Sequence, residues 1–268
     1  MPMIQSTDAE IYYEVSGTVS GSGSPVLLIA GLAGTGATWG PQKALFAKNH
    51  TVIIPDHRGT GKSSHTAKGQ TISQHAADFA RIIQELGVGP VHCVGSSTGG
   101  AITQVLALEH PGLVKTATIA SSWARVDPFF RRQFAARAQM IGSAGVKAAT
   151  EMAALFLFDP RFQMTNEPVV QGWIEAASKN ASAADIALAR MDMILDHDRL
   201  ADLGGITCPA MVIVGQSDFC TPPHLSEQIA AAIPGAEFVQ LPGGHFFYME
   251  HPDLFHSRVE AFFRKHGG

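Results

Sequence analysis

Short runs of apolar residues recur along the chain, and helix-length amphipathic stretches separate most of them. Seven such runs predict strands, at residues 10–15, 25–31, 51–55, 91–95, 114–121, 210–215 and 237–242. Between the third and fourth runs, apolar residues recur at helical spacing and predict a helix over 73–87. Alternation of strands and helices favours an α/β fold with a parallel sheet covered by helices on both faces.

The alternation stops between residues 124 and 205, where alanine, methionine, phenylalanine and arginine are abundant and no run resembles a strand. This pattern predicts a helical cap inserted at 124–205 into a core domain formed by residues 1–123 and 206–268. The glycine- and serine-rich stretch at 17–24 is short, so we expect a hairpin turn between the first strands and no domain boundary there.

Composition narrows the range of functions. The chain has 268 residues, of which 46% are hydrophobic and 16% charged, a balance typical of a folded globular protein. A net charge of -4 without a basic stripe argues against nucleic-acid binding. No apolar run looks long enough to cross a bilayer, and the N-terminus has no signal-peptide pattern. We therefore expect a cytoplasmic monomer or homodimer that contacts no membrane and acts on a small molecule.

The segment Gly95-Ser96-Ser97-Thr98-Gly99 carries the clearest chemical signal. It fits the pattern G-x-S-x-G and joins a predicted strand to a helix-compatible stretch. In that pattern the serine occupies a strained turn, where its hydroxyl is exposed at the carboxyl edge of a sheet as a nucleophile. A plain glycine turn is the alternative, and neighbouring chemistry has to separate the two.

A serine nucleophile needs a base and a carboxylate that orients the base, in the chain order serine, acid, histidine. Among the later histidines, only His245 lies in a small-residue loop directly after a strand. Asp218 follows the strand at 210–215 and precedes a proline-started helix; a turn aspartate or helix cap is the alternative for this residue alone. The order of the three residues favours a catalytic triad of Ser97, Asp218 and His245.

Backbone N–H groups usually stabilise the oxyanion of such a reaction. We expect them from Thr98, which follows the nucleophile, and from Leu32, in the loop after the strand at 25–31. The glycines of this loop do not match a dinucleotide fingerprint, and Asp56 stands where a phosphate-binding loop needs glycine. The acidic residues at 191–202 have no recognised ligand spacing, so we expect neither a metal nor an organic cofactor.

With these pieces in order, the chain resembles α/β-hydrolase fold proteins along nearly its whole length. The motifs that carry the resemblance are AGLAGTGATW at 30–39, DHRGTGKS at 56–63, GSSTGG at 95–100, GQSDFCTP at 215–222 and GGHFFYMEHPDLF at 243–255. The resemblance implies a mostly parallel eight-stranded sheet and a helical cap. Ala30 departs from the family pattern, which usually has histidine directly before the glycine that corresponds to Gly31. Asp56 and Arg58 match a family segment that is generally structural.

Within this family the chain is similar to 3-oxoadipate enol-lactonases and aminoacrylate hydrolases, which implies a serine hydrolase that acts on a small ester or enol-lactone. The alternatives are cleavage of a C–N or C–C bond, a cofactor-free perhydrolase, and a hydrolase-like ligand sensor. Trp123 and Arg125 lie where the chain enters the cap, and enol-lactone substrates carry carboxylates. Arg125 is therefore a candidate to hold such a carboxylate beside Trp123, with a solvated helix face as the alternative.

Overall fold

The computed structural model describes residues 2–17, 23–32 and 34–267. Within them, eight strands form one sheet: β1 (Met3–Ser6), β2 (Ala9–Ser16), β3 (Val26–Ile29), β4 (Val52–Pro55), β5 (Val91–Ser96), β6 (Val114–Ala120), β7 (Ala210–Gly215) and β8 (Glu237–Leu241). Their spatial order is β1-β2-β4-β3-β5-β6-β7-β8. Strands β3 to β8 run parallel to one another. β1 pairs antiparallel with β2, and β2 pairs antiparallel with β4. The mostly parallel eight-stranded sheet is confirmed.

Ten helices accompany the sheet in the described residues: α1 (Gly40–Phe46), α2 (Ile72–Leu86), α3 (Thr98–Glu109), α4 (Pro128–Leu157), α5 (Pro160–Thr165), α6 (Glu167–Lys179), α7 (Ala184–Asp196), α8 (Pro223–Ala232), α9 (Phe247–Glu250) and α10 (Pro252–Lys265). Every residue of β3, β4, β5 and β7 is buried. Helices cover both faces of such strands, so their sequences are continuously apolar. The predicted helix at 73–87 is α2, which starts with a Thr71 side-chain cap and ends at Gly87 with φ 61°.

Sequence analysis and structure differ at the first strands in two ways: no apolar run indicates β1, and the expectation of a hairpin turn at 17–24 is wrong. The four residues of β1 are too few and too polar to stand out as a strand, although Ile4 and Ser6 are buried. The stretch at 17–24 is not a hairpin turn, because β4 lies between β2 and β3 in the sheet. Residues 18–22 of that stretch lie outside the described residues.

Helices α4 to α7 occupy the chain between β6 and β7, within the stretch whose composition predicts a helical insertion. By length and composition alone α4 could span a membrane, contrary to the expectation that no apolar run is long enough. Gly145, at φ 86° and ψ 169°, interrupts it and divides it into two helical parts. Buried residues on both parts, including Phe134 and Ala153, face a cavity beneath them. The absence of membrane contact remains a prediction.

The loop between β4 and α2 is fixed by a buried ion pair. The Arg58 guanidinium donates from Nε to Asp78 Oδ2 at 2.8 Å and from Nη2 to Asp78 Oδ1 at 2.8 Å, and both side chains are inaccessible to solvent. Ser6 and Gln74 donate to the same carboxylate. This cluster joins the loop to β1 and α2, and the loop in turn contacts the candidate site.

Asp78→Ala should lower the free energy of unfolding by about 3–5 kcal/mol, because it leaves the Arg58 charge buried without its main partner. Asp8→Ala is the matched control: Asp8 also bonds Arg58, at 2.9 Å, but its side chain is 46% exposed and water can replace it. Urea denaturation followed by circular dichroism measures both. Equal small losses for the two variants would contradict this description of the loop.

Candidate active site

The turn between β5 and α3 holds Ser97 in a conformation that few residues other than glycine adopt. Its φ is 57° and its ψ is -118°. Such backbone strain persists only where the surroundings enforce it. A Cβ atom on Gly95 would overlap the carbonyl of Gly99, and one on Gly99 would lie 2.6 Å from the Ala30 oxygen. The two glycines therefore allow the helix to pack against the strand closely enough to keep Ser97 in this turn.

Asp218 and His245 are hydrogen-bonded to each other at the carboxyl ends of β7 and β8. His245 Nδ1 lies 3.0 Å from Asp218 Oδ2 and 3.1 Å from Oδ1. The backbone N–H groups of Cys220 and Thr221 donate to Asp218 Oδ1 at 2.9 and 2.8 Å, and the Thr221 hydroxyl donates to Oδ2 at 2.9 Å. These donors hold a buried carboxylate in one orientation, so that it can fix the tautomer of the imidazole.

Ser97 and His245 line one cavity of about 240 Å³. In the described residues no hydrogen bond joins the Ser97 hydroxyl to His245. Such bonds are often long before a substrate is present. The structure therefore brings the three residues of the predicted triad to one site, with the acid–base pair already formed.

The two predicted oxyanion donors flank Ser97. Thr98 is the first residue of α3, where the helix dipole places partial positive charge. Leu32 lines the cavity, and the preceding Gly31 packs against the nucleophile: a Cβ on it would lie 3.3 Å from Ser97 Cβ. Neither the Leu32 nor the Thr98 N–H has an acceptor within the described ranges. Within those ranges both groups therefore remain available to donate to a ligand oxygen.

Most of the cavity wall is apolar. Much of it comes from α4 and α6, with Phe134, Ile141, Ala149, Leu157 and Trp173, and Phe246 from the loop after β8 completes it. Two arginines also line it, Arg137 of α4 and Arg190 of α7, and its described lining contains no aspartate or glutamate. Arg137 forms no hydrogen bond or ion pair with any described residue, and its Nε is buried. Its guanidinium stacks over the Phe134 ring at 5.0 Å. The cavity thus carries excess positive charge.

Cys220 is the other candidate nucleophile in this cavity. Burial raises the pKa of its thiol to about 12. At neutral pH the group is therefore protonated, and a thiol is a much weaker nucleophile than a thiolate.

The structure does not bring Trp123 and Arg125 to the cavity: neither residue lines it, and their substrate contacts remain untested predictions. Arg125 Nε instead contacts Asp198 Oδ1 and Oδ2 at 3.0 and 2.9 Å in an ion pair whose side chains are about half exposed. Trp123 is fully buried and packs on Phe130 and His197. Proximity in sequence to the end of β6 did not indicate which side chains turn inward.

Sequence analysis also missed three residues of the site: Thr221, Arg137 and Arg190. Thr221 lies three residues after Asp218, a spacing at which a hydroxyl and a backbone N–H can both return to an aspartate. This spacing could have indicated Thr221 from the sequence alone. For the two arginines the sequence offers no signal, because helical spacing alone does not reveal which face of α4 or α7 covers the cavity.

Comparison with known proteins adds family information to this geometry. The family model described as alpha/beta hydrolase fold matches residues 24–252. A relative from Azorhizobium caulinodans, provisionally named carbamate hydrolase RutD, is 33% identical, and the match covers 98% of each chain. The enol-lactonase from Burkholderia xenovorans superimposes with a TM-score of 0.88 at 26% identity, over 97% of this chain and 99% of that one. A malate-bound esterase from Thermogutta terrifontis superimposes with a TM-score of 0.86 at 25% identity, over 100% of both chains.

Gly99→Ala should destabilise the fold by about 1–3 kcal/mol, because the added methyl group meets the main chain after β3 and the backbone has to move. Gly172→Ala is the control: its Cβ would meet nothing within 4 Å, and Gly172 lies inside α6. There alanine should stabilise by about 0.5–1 kcal/mol. Urea unfolding midpoints distinguish the two, and a Gly99→Ala protein as stable as the wild type would contradict the packing constraint.

Proposed function

The chain belongs to the alpha/beta hydrolase fold family and is a hydrolase, and from this premise we propose that it cleaves a small carboxylic ester or enol-lactone through an acyl intermediate on Ser97. One observation carries the proposal. The hydrogen-bonded pair of Asp218 and His245 shares a largely apolar cavity with a serine in a strained strand-to-helix turn. That combination matches nucleophile, base and orienting acid.

In the first half of the reaction, Ser97 Oγ attacks the acyl carbon and forms a C–O bond while His245 Nε2 accepts the hydroxyl proton. The carbonyl oxygen becomes an oxyanion and accepts hydrogen bonds from the Leu32 and Thr98 N–H groups. When the tetrahedral intermediate collapses, the bond to the alkoxy leaving group breaks and His245 returns the proton to it. Asp218 keeps its charge throughout and stabilises the imidazolium.

The second half repeats these steps with water. His245 removes a proton from water, the hydroxide oxygen bonds to the acyl carbon, and Ser97 leaves with the proton. The products are a carboxylic acid and an alcohol, or a single open-chain acid from a lactone. The apolar walls exclude other water, which strengthens the hydrogen bonds to the oxyanion.

A second candidate is hydrolysis of a C–N bond with the same residues. The relative named for carbamate hydrolysis supports it, since it matches nearly the whole chain. Amide-like leaving groups need a proton before they depart, which His245 could supply in the same position. Rates on matched ester and carbamate compounds separate the two candidates.

We also propose that residues 124–205 act as a cap that determines which substrates enter. Side chains of α4, α6 and α7 form much of the cavity wall, and the cavity volume of about 240 Å³ suits a small molecule. In this proposal the core domain of 1–123 and 206–268 supplies the reacting groups and the cap supplies most of the substrate contacts.

Ser97→Ala should reduce kcat by about 10⁶-fold and leave the fold intact, because the nucleophile acts as a unit with its base. Hydrolysis of a p-nitrophenyl ester series measures the rate, and a fluorophosphonate probe measures labelling. Cys220→Ala is the control and should keep both labelling and turnover. Labelling that survives in the serine variant and is lost in the cysteine variant would overturn the choice of nucleophile.

Substrates with a carboxylate should be preferred, and we propose that Arg137 holds that group. Its guanidinium is unpaired in a cavity without described acidic residues, and a structural neighbour binds malate. An arginine offers the planar pair of donors that a carboxylate accepts.

Arg137→Gln should raise KM for mono-p-nitrophenyl glutarate by about 10- to 100-fold, the equivalent of a charge-assisted hydrogen bond of about 1.5–3 kcal/mol. It should change KM for p-nitrophenyl butyrate by less than about threefold. The matched control, Arg125→Gln, removes an arginine outside the cavity and should affect neither ester. Equal effects of Arg137→Gln on both esters would refute the role of Arg137 and leave the hydrolase proposal intact.

A further inference from the structure

Arg190 of α7 is an arginine that the proposed reaction does not yet use. Only 2% of its surface is exposed. A buried guanidinium is costly unless its charge is paired, and arginines in such places usually meet a carboxylate. Arg190 forms no ion pair with any described aspartate or glutamate, whereas the neighbouring Arg58 is paired with Asp78. Its retention in the interior therefore needs another explanation.

The acceptors around Arg190 are neutral and belong to the loop after β3 and the loop between β4 and α2. Nη2 donates to the Leu32 carbonyl at 2.8 Å and to His57 Nδ1 at 3.1 Å. Nη1 donates to the Arg58 carbonyl at 3.1 Å and to Gln70 Oε1 at 3.2 Å. Burial and the Arg190 charge hold the pKa of His57 well below its usual range, so the imidazole is neutral, and its Nδ1 accepts from Arg190 in the tautomer protonated at Nε2.

The Leu32 carbonyl belongs to the same residue as the proposed oxyanion donor. On its other side this loop is held by main-chain bonds: His57 N donates to the Gly34 oxygen at 2.8 Å, and Gly34 N donates to the Gly31 oxygen at 2.9 Å. Gly34 also lies against the arginine, since a Cβ there would come within 3.0 Å of Nη2. The guanidinium thus closes a ring of contacts around the loop: it holds the carbonyl that follows Leu32, while the Gly34 N–H holds the Gly31 carbonyl of the peptide that carries the Leu32 N–H.

The charge of Arg190 acts in the same direction as its geometry. Burial lowers the pKa of Arg190 to about 10, so the group is still cationic at neutral pH. A positive charge in a poorly solvated interior favours negative charge that develops nearby. The guanidinium bonds the Leu32 carbonyl and lines the same cavity as Ser97, so its charge lies close to the proposed oxyanion site.

We propose that Arg190 is a positioning residue for the transition state: from α7 it orients the Leu32 loop and places an unpaired positive charge close to the oxyanion site. This inference rests on the proposed function, because it assumes an oxyanion formed by attack of Ser97. The loop is held from the helical segment above it.

The test compares Arg190→Met, which removes the charge and all donors, with Arg190→Lys, which keeps the charge and one donor site. Arg190→Met should lower kcat by about 10- to 100-fold, less than the roughly 10²–10³ typical of losing an oxyanion donor itself. KM should change by less than about threefold, because the ground-state carbonyl depends little on the oxyanion site. Arg190→Lys should recover a large part of the loss.

Two ketones with the same acyl chain provide a readout that a merely structural role would not change. A trifluoromethyl ketone adds to Ser97 and forms an oxyanion, whereas the methyl ketone only occupies the site. Arg190→Met should lower the affinity for the trifluoromethyl ketone by the same factor as it lowers kcat/KM. The affinity for the methyl ketone should not change. Arg199→Met is the matched control, because the partly buried Arg199 pairs with Glu109 and Asp202 and does not line the cavity.

The outcomes separate the two proposals. If Ser97→Ala keeps the wild-type rate in the same assay, the proposed function fails and the role of Arg190 fails with it. If hydrolysis depends on Ser97 but folded Arg190→Met keeps kcat within about twofold, only the role of Arg190 is overturned. The same conclusion follows if both ketones weaken equally and lysine restores nothing, since that pattern indicates a general structural loss.

Discussion

The close approach of α3 to β3 and β5 is the constraint on which the rest of the site depends. Side chains on Gly95 or Gly99 would overlap main-chain atoms of neighbouring elements. The helix therefore starts directly under the carboxyl edge of the sheet, and Ser97 is left at φ 57° with its hydroxyl towards the cavity. The same contact brings Gly31 against Ser97, which is why the loop after β3 can supply a second N–H beside the first. The positions of the proposed nucleophile and of the proposed oxyanion donors thus follow from one packing requirement.

Charge is distributed unevenly around this centre. Asp218 is surrounded by donors, so its negative charge is stabilised by short-range hydrogen bonds and by His245. Two guanidiniums without acidic partners in the described residues line the cavity, and one of them, Arg190, also donates to the Leu32 carbonyl. An interior arranged in this way favours negative charge on a bound molecule. It is consistent with a reaction in which a carbonyl oxygen becomes an oxyanion between the two halves of the site.

The parts of the structure that local rules determine could be predicted from the sequence. The apolar runs located seven of the eight strands in the described residues, and the spacing of Gly95, Ser97 and Gly99 located the turn. Chain order then selected Asp218 and His245, which the structure holds together. The family is shown by comparison, whereas the roles of these residues remain proposals.

Contacts that depend on helix orientation could not be predicted. Arg125 lies shortly after β6 but pairs with Asp198, whereas Arg137, which lies within α4, lines the cavity. The break at Gly145 changes the direction of α4, and the pattern of apolar residues in the sequence did not predict this break.

The central claim is that Ser97 becomes acylated during turnover, and trapping the intermediate tests it most directly. The enzyme is mixed with an excess of a p-nitrophenyl ester, quenched in acid within the first turnover, digested and analysed by mass spectrometry. The account predicts a burst of nitrophenol that matches the enzyme concentration, together with an acyl mass increase on the peptide that carries Ser97. Turnover that proceeds without an adduct at any quench time, or with the acyl group on Cys220, would contradict it.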